Sequence, residues 1–374
     1  MSDSSHRPTY VDVSLPRLKQ NLAIIRSHVH PAKVMVVLKA NAYGHGVDGV
    51  APYLAPLSDY IGVAIVEEGV QLRELGIRVP ILVMGAILAE QLPSLISHGL
   101  TLAATSMAVL EAAEATAREA GARLKVHLKI DTGMERVGVH EYDAEAFLEE
   151  SLRCDHLEIE GIFSHFANSD AADLSHARLQ IARFERVLTL YERWGIPTPP
   201  LRHMANSGAI LQLPESHFDM VRPGLMLYGI YPGREVRRAV EVWPALTWYS
   251  RVAQSKTTLA GRPVSYGSTW RPELDSRILT IPCGYGDGYF RRMTNQAQVM
   301  IRGRKYPQVG RICMDQFMVN AAEDEIPEGE QVVLLGRAPS GEEITAEDLA
   351  QWAGTNEYEV CTNISARVPR MFTM

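Results

Sequence analysis

Residues 34–46 read VMVVLKANAYGHG. An apolar run of strand character ends on Lys39, and a glycine-containing turn that carries Tyr43 follows at once. Taking an ammonium out of water costs several kcal/mol unless it is paired or deprotonated. A lysine at the end of a buried strand is therefore a candidate for chemistry. With a lowered pKa it attacks carbonyls and can hold an aldehyde cofactor as a Schiff base. The bland alternative is a buried stem whose ammonium reaches solvent, and the segment by itself leaves both open.

The elements that would position Lys39 recur along the chain. Short apolar runs occur at residues 35–39, 61–66, 81–85, 101–105, 125–131, 159–165, 201–207 and 220–225. Several are apolar throughout, as strands buried on both faces are. Amphipathic stretches separate them. One follows Ser106, an expected N-cap, and stops at Gly121; another covers 174–195 and ends on Gly195. Eight strands alternating with helices predict an α/β chain whose residues 10–240 form a (β/α)8 barrel of the TIM type. No GxGxxG follows the first strand, which argues against a doubly wound sheet. Beyond 240 the helical pattern fades into β-rich runs broken by Gly and Pro, with one short helix expected from Thr345. Residues 241–374 are read as a mainly-β domain, and the alternating strand in residues 1–14 is able to join it.

In such a barrel the chemistry sits at the C-terminal strand ends. The first strand places Lys39 and Tyr43 there, and the fifth Lys129, Asp131 and Arg136. The sixth places His165, the seventh His203, Asn206 and Ser207, and the eighth Arg222 and Gly224. Strands two to four place almost nothing polar there. The polar ends thus form one arc of a closed ring. The loops after strands seven and eight are the usual phosphate site of these barrels. Ser207 opens an expected helix, as an anion ligand or as a plain N-cap. A phosphate site facing a strand-end lysine points to pyridoxal 5′-phosphate, with Arg222 set to reach the ring nitrogen. A guanidinium stays protonated and only donates. It would leave that nitrogen unprotonated and the carbanion less delocalised than an acidic partner would.

The formal net charge of −7 and the absence of a basic domain argue against nucleic acid. No apolar stretch approaches the ~20 residues of a membrane span. The four cysteines show no CxxC spacing, and the first residues lack an apolar signal core, so a cytoplasmic protein is expected.

Nine segments together resemble the alanine racemase family, in the family's order: VVLKANAYGHG, LKIDTGMERVG, HFANSD, HMANSGA, VRPGLMLYG, VSYGSTW, IPCGYGDGY, VGRICMDQFMV and NEYEVCTNISARVPR. The resemblance implies a homodimeric, pyridoxal-phosphate-dependent enzyme that interconverts L- and D-alanine for cell-wall peptidoglycan. It implies that Lys39 carries the cofactor and acts as one base. Tyr266, from the partner subunit, would be the other. Tyr43, Ser207, Gly224, Leu225 and Tyr358 would surround the phosphate. Arg222 would meet the ring nitrogen, with His203 and His165 behind it. Arg136 and the backbone at Met314 would hold the substrate carboxylate, and Tyr285 would line the entrance. Lys129 matches a position carbamylated in some members. Glu135 stands where the family often has a small residue. The competing readings are a racemase of broader small amino acids such as serine, a decarboxylase of the same architecture, a cofactor-binding barrel without catalysis, and a metal or substrate-phosphate barrel without pyridoxal phosphate.

Overall fold

A computed structural model describes residues 7–338 and 341–374. Eight parallel strands are found: Lys33–Val37, Tyr60–Val63, Ile81–Val83, Thr101–Ala104, Leu124–Asp131, Leu157–Phe163, Leu201–His203 and Met220–Val221. They are taken below as barrel strands one to eight. Each of the first six pairs with the next, and the eighth pairs back onto the first, Met220 opposite Lys33. Between strands seven and eight the ring is closed by single bonds, from Asp219 N to Arg202 O (3.0 Å) and from Arg222 N to Ala205 O (2.9 Å). The result is the nearly closed barrel that the runs of buried apolar residues imply.

Seven buried residues fill the barrel interior: Met35, Tyr60, Leu82, Ala103, Phe163, Leu201 and Met220. They come from every strand except the fifth. In the fifth, side chains two apart share a face, and that strand contributes His127 and Lys129, both buried.

Helices cover the outside. Met107–Glu119 is capped by Ser106, whose Oγ accepts from Val109 N at 3.3 Å. Ser175–Arg193 stops just before Gly195, where φ is 67°.

The second half is built on antiparallel pairs. The run after 245 is two strands, Leu246–Arg251 and Gln254–Thr258, rather than one. The hairpin of Gln298–Ile301 and Arg304–Val309 turns on Arg302 and Gly303, both at positive φ, as two-residue hairpins require. The N-terminal strand Tyr10–Ser14 pairs antiparallel with Leu246–Arg251 and parallel with Arg370–Thr373.

The sequence predicts one α-helix in this half, and among the described residues two are found. Ala346–Ala353 begins with a reciprocal box between Thr345 and Asp348. The second, Glu357–Thr362, is capped by Asn356 Oδ1, which accepts from Glu359 N at 2.9 Å. Six residues are too few to carry a period, but the Asn-x-x-Glu spacing was its signal.

Candidate active site

The first barrel strand is buried up to Leu38, and Lys39 follows at its C-terminal end. Ala40, Asn41, Ala42 and Tyr43 then take left-handed backbone angles, φ 51–55°. Such a turn costs an L-residue about 1–2 kcal/mol, and strain of this kind collects at functional sites. The surroundings hold it in place. Asn41 Oδ1 accepts from Val47 N (2.8 Å), and Glu68 Oε1 accepts from Ala40 N (2.6 Å). The turn brings Lys39 and Tyr43 together, with Nζ 5.9 Å from the ring centre. Burial lowers the Lys39 pKa, Arg136 and Arg222 lower it further, and the Glu68 carboxylate opposes them. The site therefore makes the ammonium form of Lys39 less favourable than it is for an exposed lysine.

Tyr43 lies over Gly224. A Cβ on Gly224 would stand 2.5 Å from Tyr43 Oη, so only glycine admits this approach. Tyr358 packs beside it, ring centres 6.1 Å apart. Ser207 is not the helix cap: Asn206 Oδ1 accepts from Ala209 N at 3.1 Å. Ser207 Oγ instead accepts from Gly224 N (3.0 Å) and Met226 N (3.2 Å). Leu225 lies between those two amides and is fully buried. The Ser207 hydroxyl and the two N–H groups it accepts thus gather beside Tyr43 and Tyr358, donors that an anion with several acceptor oxygens can share with Ser207 Oγ.

Arg222 is buried across the barrel mouth. Its Nη2 donates to Ser164 O (2.7 Å) and Met204 O (2.9 Å), and its Nη1 donates to His203 Nδ1 (2.6 Å). His165 Nδ1 is 3.2 Å from Nη2. Burial pushes the guanidinium down to about 9, which leaves it cationic at neutral pH. Because arginine only donates, both imidazoles must accept at Nδ1. Each neutral ring then carries its proton on Nε2. Burial, and then the Arg222 charge, hold both histidines well below the usual range. His165 is therefore a neutral imidazole whose N–H is at Nε2. His203 stacks on Phe163 at 4.7 Å, and Lys129 Nζ lies 4.7 Å from the same ring. Burial, then Arg222, lowers the Lys129 pKa strongly.

Arg136 leaves an exposed loop shaped by Asp131. That carboxylate accepts from Gly133 N, Met134 N and Arg136 N at 2.8–3.1 Å. Glu135 in this loop has φ 56°, which accounts for the small residue expected there. We expect Glu135→Gly to stabilise the fold by about 0.5 kcal/mol net of glycine's chain entropy, seen as a higher unfolding midpoint. The exposed pair it loses, Glu135–His140 at 3.7 Å, contributes little.

Three expected site residues are not brought to this chamber within the chain. Tyr266, Tyr285 and Met314 lie in the β-rich half and are 72%, 41% and 53% exposed. Among the described residues Tyr266 makes no side-chain hydrogen bond or ring contact. Tyr285 and Met314 sit side by side, through Tyr285 N to Cys313 O (3.0 Å) and Gly286 N to Met314 O (2.9 Å).

The profile described as "Alanine racemase, N-terminal domain" matches residues 13–232, and "Alanine racemase, C-terminal domain" matches 245–372. The chain belongs to the alanine racemase family. It is 44% identical over 370 residues to the alanine racemase of Carboxydothermus hydrogenoformans, covering 98% of this chain and 100% of that one. The structure of alanine racemase from Streptomyces lavendulae superposes with a TM-score of 0.94 at 34% identity, over 99% and 98% of the two chains. A histidine racemase from Leuconostoc mesenteroides is similar at 28% identity and a TM-score of 0.89.

Within this racemase family frame, sequence reasoning had passed over Glu68, His127, Phe163 and the carbonyls of Ser164 and Met204. A carbonyl has no residue-type signature. His127 did have one, since KVHLKID places His127, Lys129 and Asp131 on one face of a buried strand.

Proposed function

We propose that the chain interconverts L- and D-alanine using pyridoxal 5′-phosphate held by Lys39, and that it thereby supplies D-alanine for peptidoglycan. The observation that carries the reading is one chamber holding a buried amine with lowered pKa, a converging amide and hydroxyl set, and a buried guanidinium without an acidic partner. The residues present suit the cofactor. Lys39 would take the aldehyde. Tyr43, Ser207, Gly224, Leu225 and Tyr358 would take the phosphate, and Arg222 the ring nitrogen. When bound, the cofactor supplies the electron sink that makes the α-proton removable.

The remaining work belongs to the chain. Lys39 Nζ moves a proton on one face of the α-carbon. Tyr266 of the partner subunit moves one on the other, and its exposure in the single chain fits a residue that serves a neighbouring site. Arg136 and the Met314 backbone fix the carboxylate, and Tyr285 narrows the entrance. Asn206 orients the Ser207 helix. Lys129, its pKa lowered chiefly by burial, is the amine in this chamber placed to take up carbon dioxide. A homodimer follows from the shared site. Four unpaired cysteines fit a reducing cytoplasm. Among the described residues no helix is long and apolar enough to cross a membrane.

An acid at the position of Arg222 would have favoured the decarboxylase. The test is enantiomer-resolved turnover of L-alanine with serine and histidine alongside. Alanine should react fastest; carbon dioxide release, or faster turnover of either competitor, would defeat the reading. Gly224→Ala should weaken cofactor affinity by about tenfold or more, since Tyr43 must move from the phosphate. Titration of the apoprotein with cofactor would measure it.

A further inference from the structure

Arg222 is a buried cation, and among the described residues no carboxylate pairs with it. Its compensation runs through a column of side chains down the barrel interior. His203 Nδ1 accepts from Arg222, so the His203 proton sits on Nε2 and points at His127 Nδ1, 2.8 Å away. His127 Nδ1 must then accept, and its own proton sits on Nε2. That atom is fully buried, has no hydrogen-bond partner, and faces Glu160 Oε2 at 3.9 Å. Neither imidazole can take a second proton without breaking a contact in the column. The column is built rather than incidental. Gly161, beside Glu160, leaves the room that His127 fills: a Cβ there would stand 2.6 Å from its Nδ1.

We propose that Glu160 is a positioning residue for the racemase site, holding Arg222 through the oriented pair His127 and His203. The carboxylate attracts the His127 Nε2 proton, which makes His127 Nδ1 a stronger acceptor. His203 in turn becomes a stronger acceptor toward Arg222. The charge that balances the guanidinium therefore stands near the N-terminal ends of the strands, beside Tyr60 and Lys125 (3.1 Å each), where water can reach it. Glu160 is ionised throughout, its pKa held at about 2 chiefly by His127 and also by Lys125. Other charges facing the column are Lys129 near His203 and Arg222 itself. The consequence for catalysis rests on the reading that Arg222 meets the cofactor ring; the proton positions do not.

The test uses the full-length holoenzyme labelled with 15N-histidine, with two variants. In the wild type His127 and His203 should both be Nε2–H tautomers across neutral pH. Glu160→Gln removes the charge and keeps an acceptor for Tyr60. It should lower the pH at which His127 gains a proton, shift the visible cofactor band, and reduce kcat about tenfold with KM within twofold. Lys125→Met removes the competing cation and should move the His127 titration the opposite way. A merely structural salt bridge would lower the unfolding midpoint in both variants while leaving the cofactor band and kcat of Glu160→Gln unchanged, and that result would overturn the proposal. An Nδ1–H tautomer at either ring, or shifts of the same sign in both variants, would overturn the proposal. Borohydride labelling of Lys39 in the same samples shows separately whether the cofactor reading holds.

Discussion

Lys39→Ala is expected to give a folded protein that no longer retains cofactor through borohydride reduction and whose alanine turnover falls by about 10⁴-fold or more. Two losses combine. The covalent anchor goes, and so does the base on one face of the α-carbon. The fold should survive, because among the described residues the Lys39 side chain makes no hydrogen bond. The left-handed turn behind it is held by Asn41 and Glu68, not by the lysine. A small added amine should restore a fraction of turnover, since it refills both roles without the tether. Peptide mapping of the reduced wild type should find the label on Lys39. A label on another lysine, or undiminished turnover in Lys39→Ala, would remove the basis of the proposed function.

The local backbone that makes Lys39 available was not legible beforehand. The sequence around it predicts a strand and then a glycine-containing turn, and both are present. Asn41 tolerates left-handed angles, but nothing in Ala40 or Ala42 announces them, because the turn is held by Glu68 and Val47, which lie outside the motif. The barrel was legible for the opposite reason. Strands buried on both faces need apolar residues at every position, so their runs stand out whatever the loops do. The arc of polar strand ends was equally readable, and Lys39, Tyr43, Ser207 and Arg222 do meet at one mouth. Residue type alone did not say which partner each would take. Ser207 gave up the cap to Asn206 and turned to the Gly224 and Met226 amides. His165 turns its Nδ1 toward Arg222. Tyr358 sits on a helix too short for periodicity, and its place beside Tyr43 depends on how the last segment docks.

The choice of arginine at 222 bears on which reaction the site favours. Its contacts are neutral acceptors, two carbonyls and two imidazoles, so the guanidinium keeps its charge without a carboxylate competing for its remaining N–H groups. A donor aimed at a pyridine nitrogen leaves that nitrogen without a proton. Electron withdrawal is then weaker, and the reprotonated product is favoured over routes that need a long-lived carbanion. On the proposed reading, in which Arg222 meets the ring nitrogen, arginine at this position thus disfavours decarboxylation.

Tyr266→Phe is expected to leave fold and cofactor binding unchanged while racemisation falls by about 10²–10⁴-fold, the usual range for one proton-transfer group. The hydroxyl is exposed in the single chain, so its removal disturbs no packing. Equal loss in both directions is required by the overall equilibrium and does not identify the face. Deuterium exchange does. With Lys39 intact, the α-hydrogen of one enantiomer, D-alanine, should still exchange with solvent without inversion, while exchange from L-alanine should be lost. The shared site makes a sharper demand. Lys39→Ala and Tyr266→Phe homodimers should each be nearly inactive, yet a mixed dimer holds one chamber with both native groups. If chains reassort at random, half the dimers are mixed and half their chambers are native, so about a quarter of wild-type activity should return. Recovery on mixing is only possible if Lys39 and Tyr266 of one chamber come from different chains. If the mixture stays as inactive as its parents after demonstrated subunit exchange, the tyrosine serves its own chain or no site at all, and the second base must be sought among the groups that already surround Lys39.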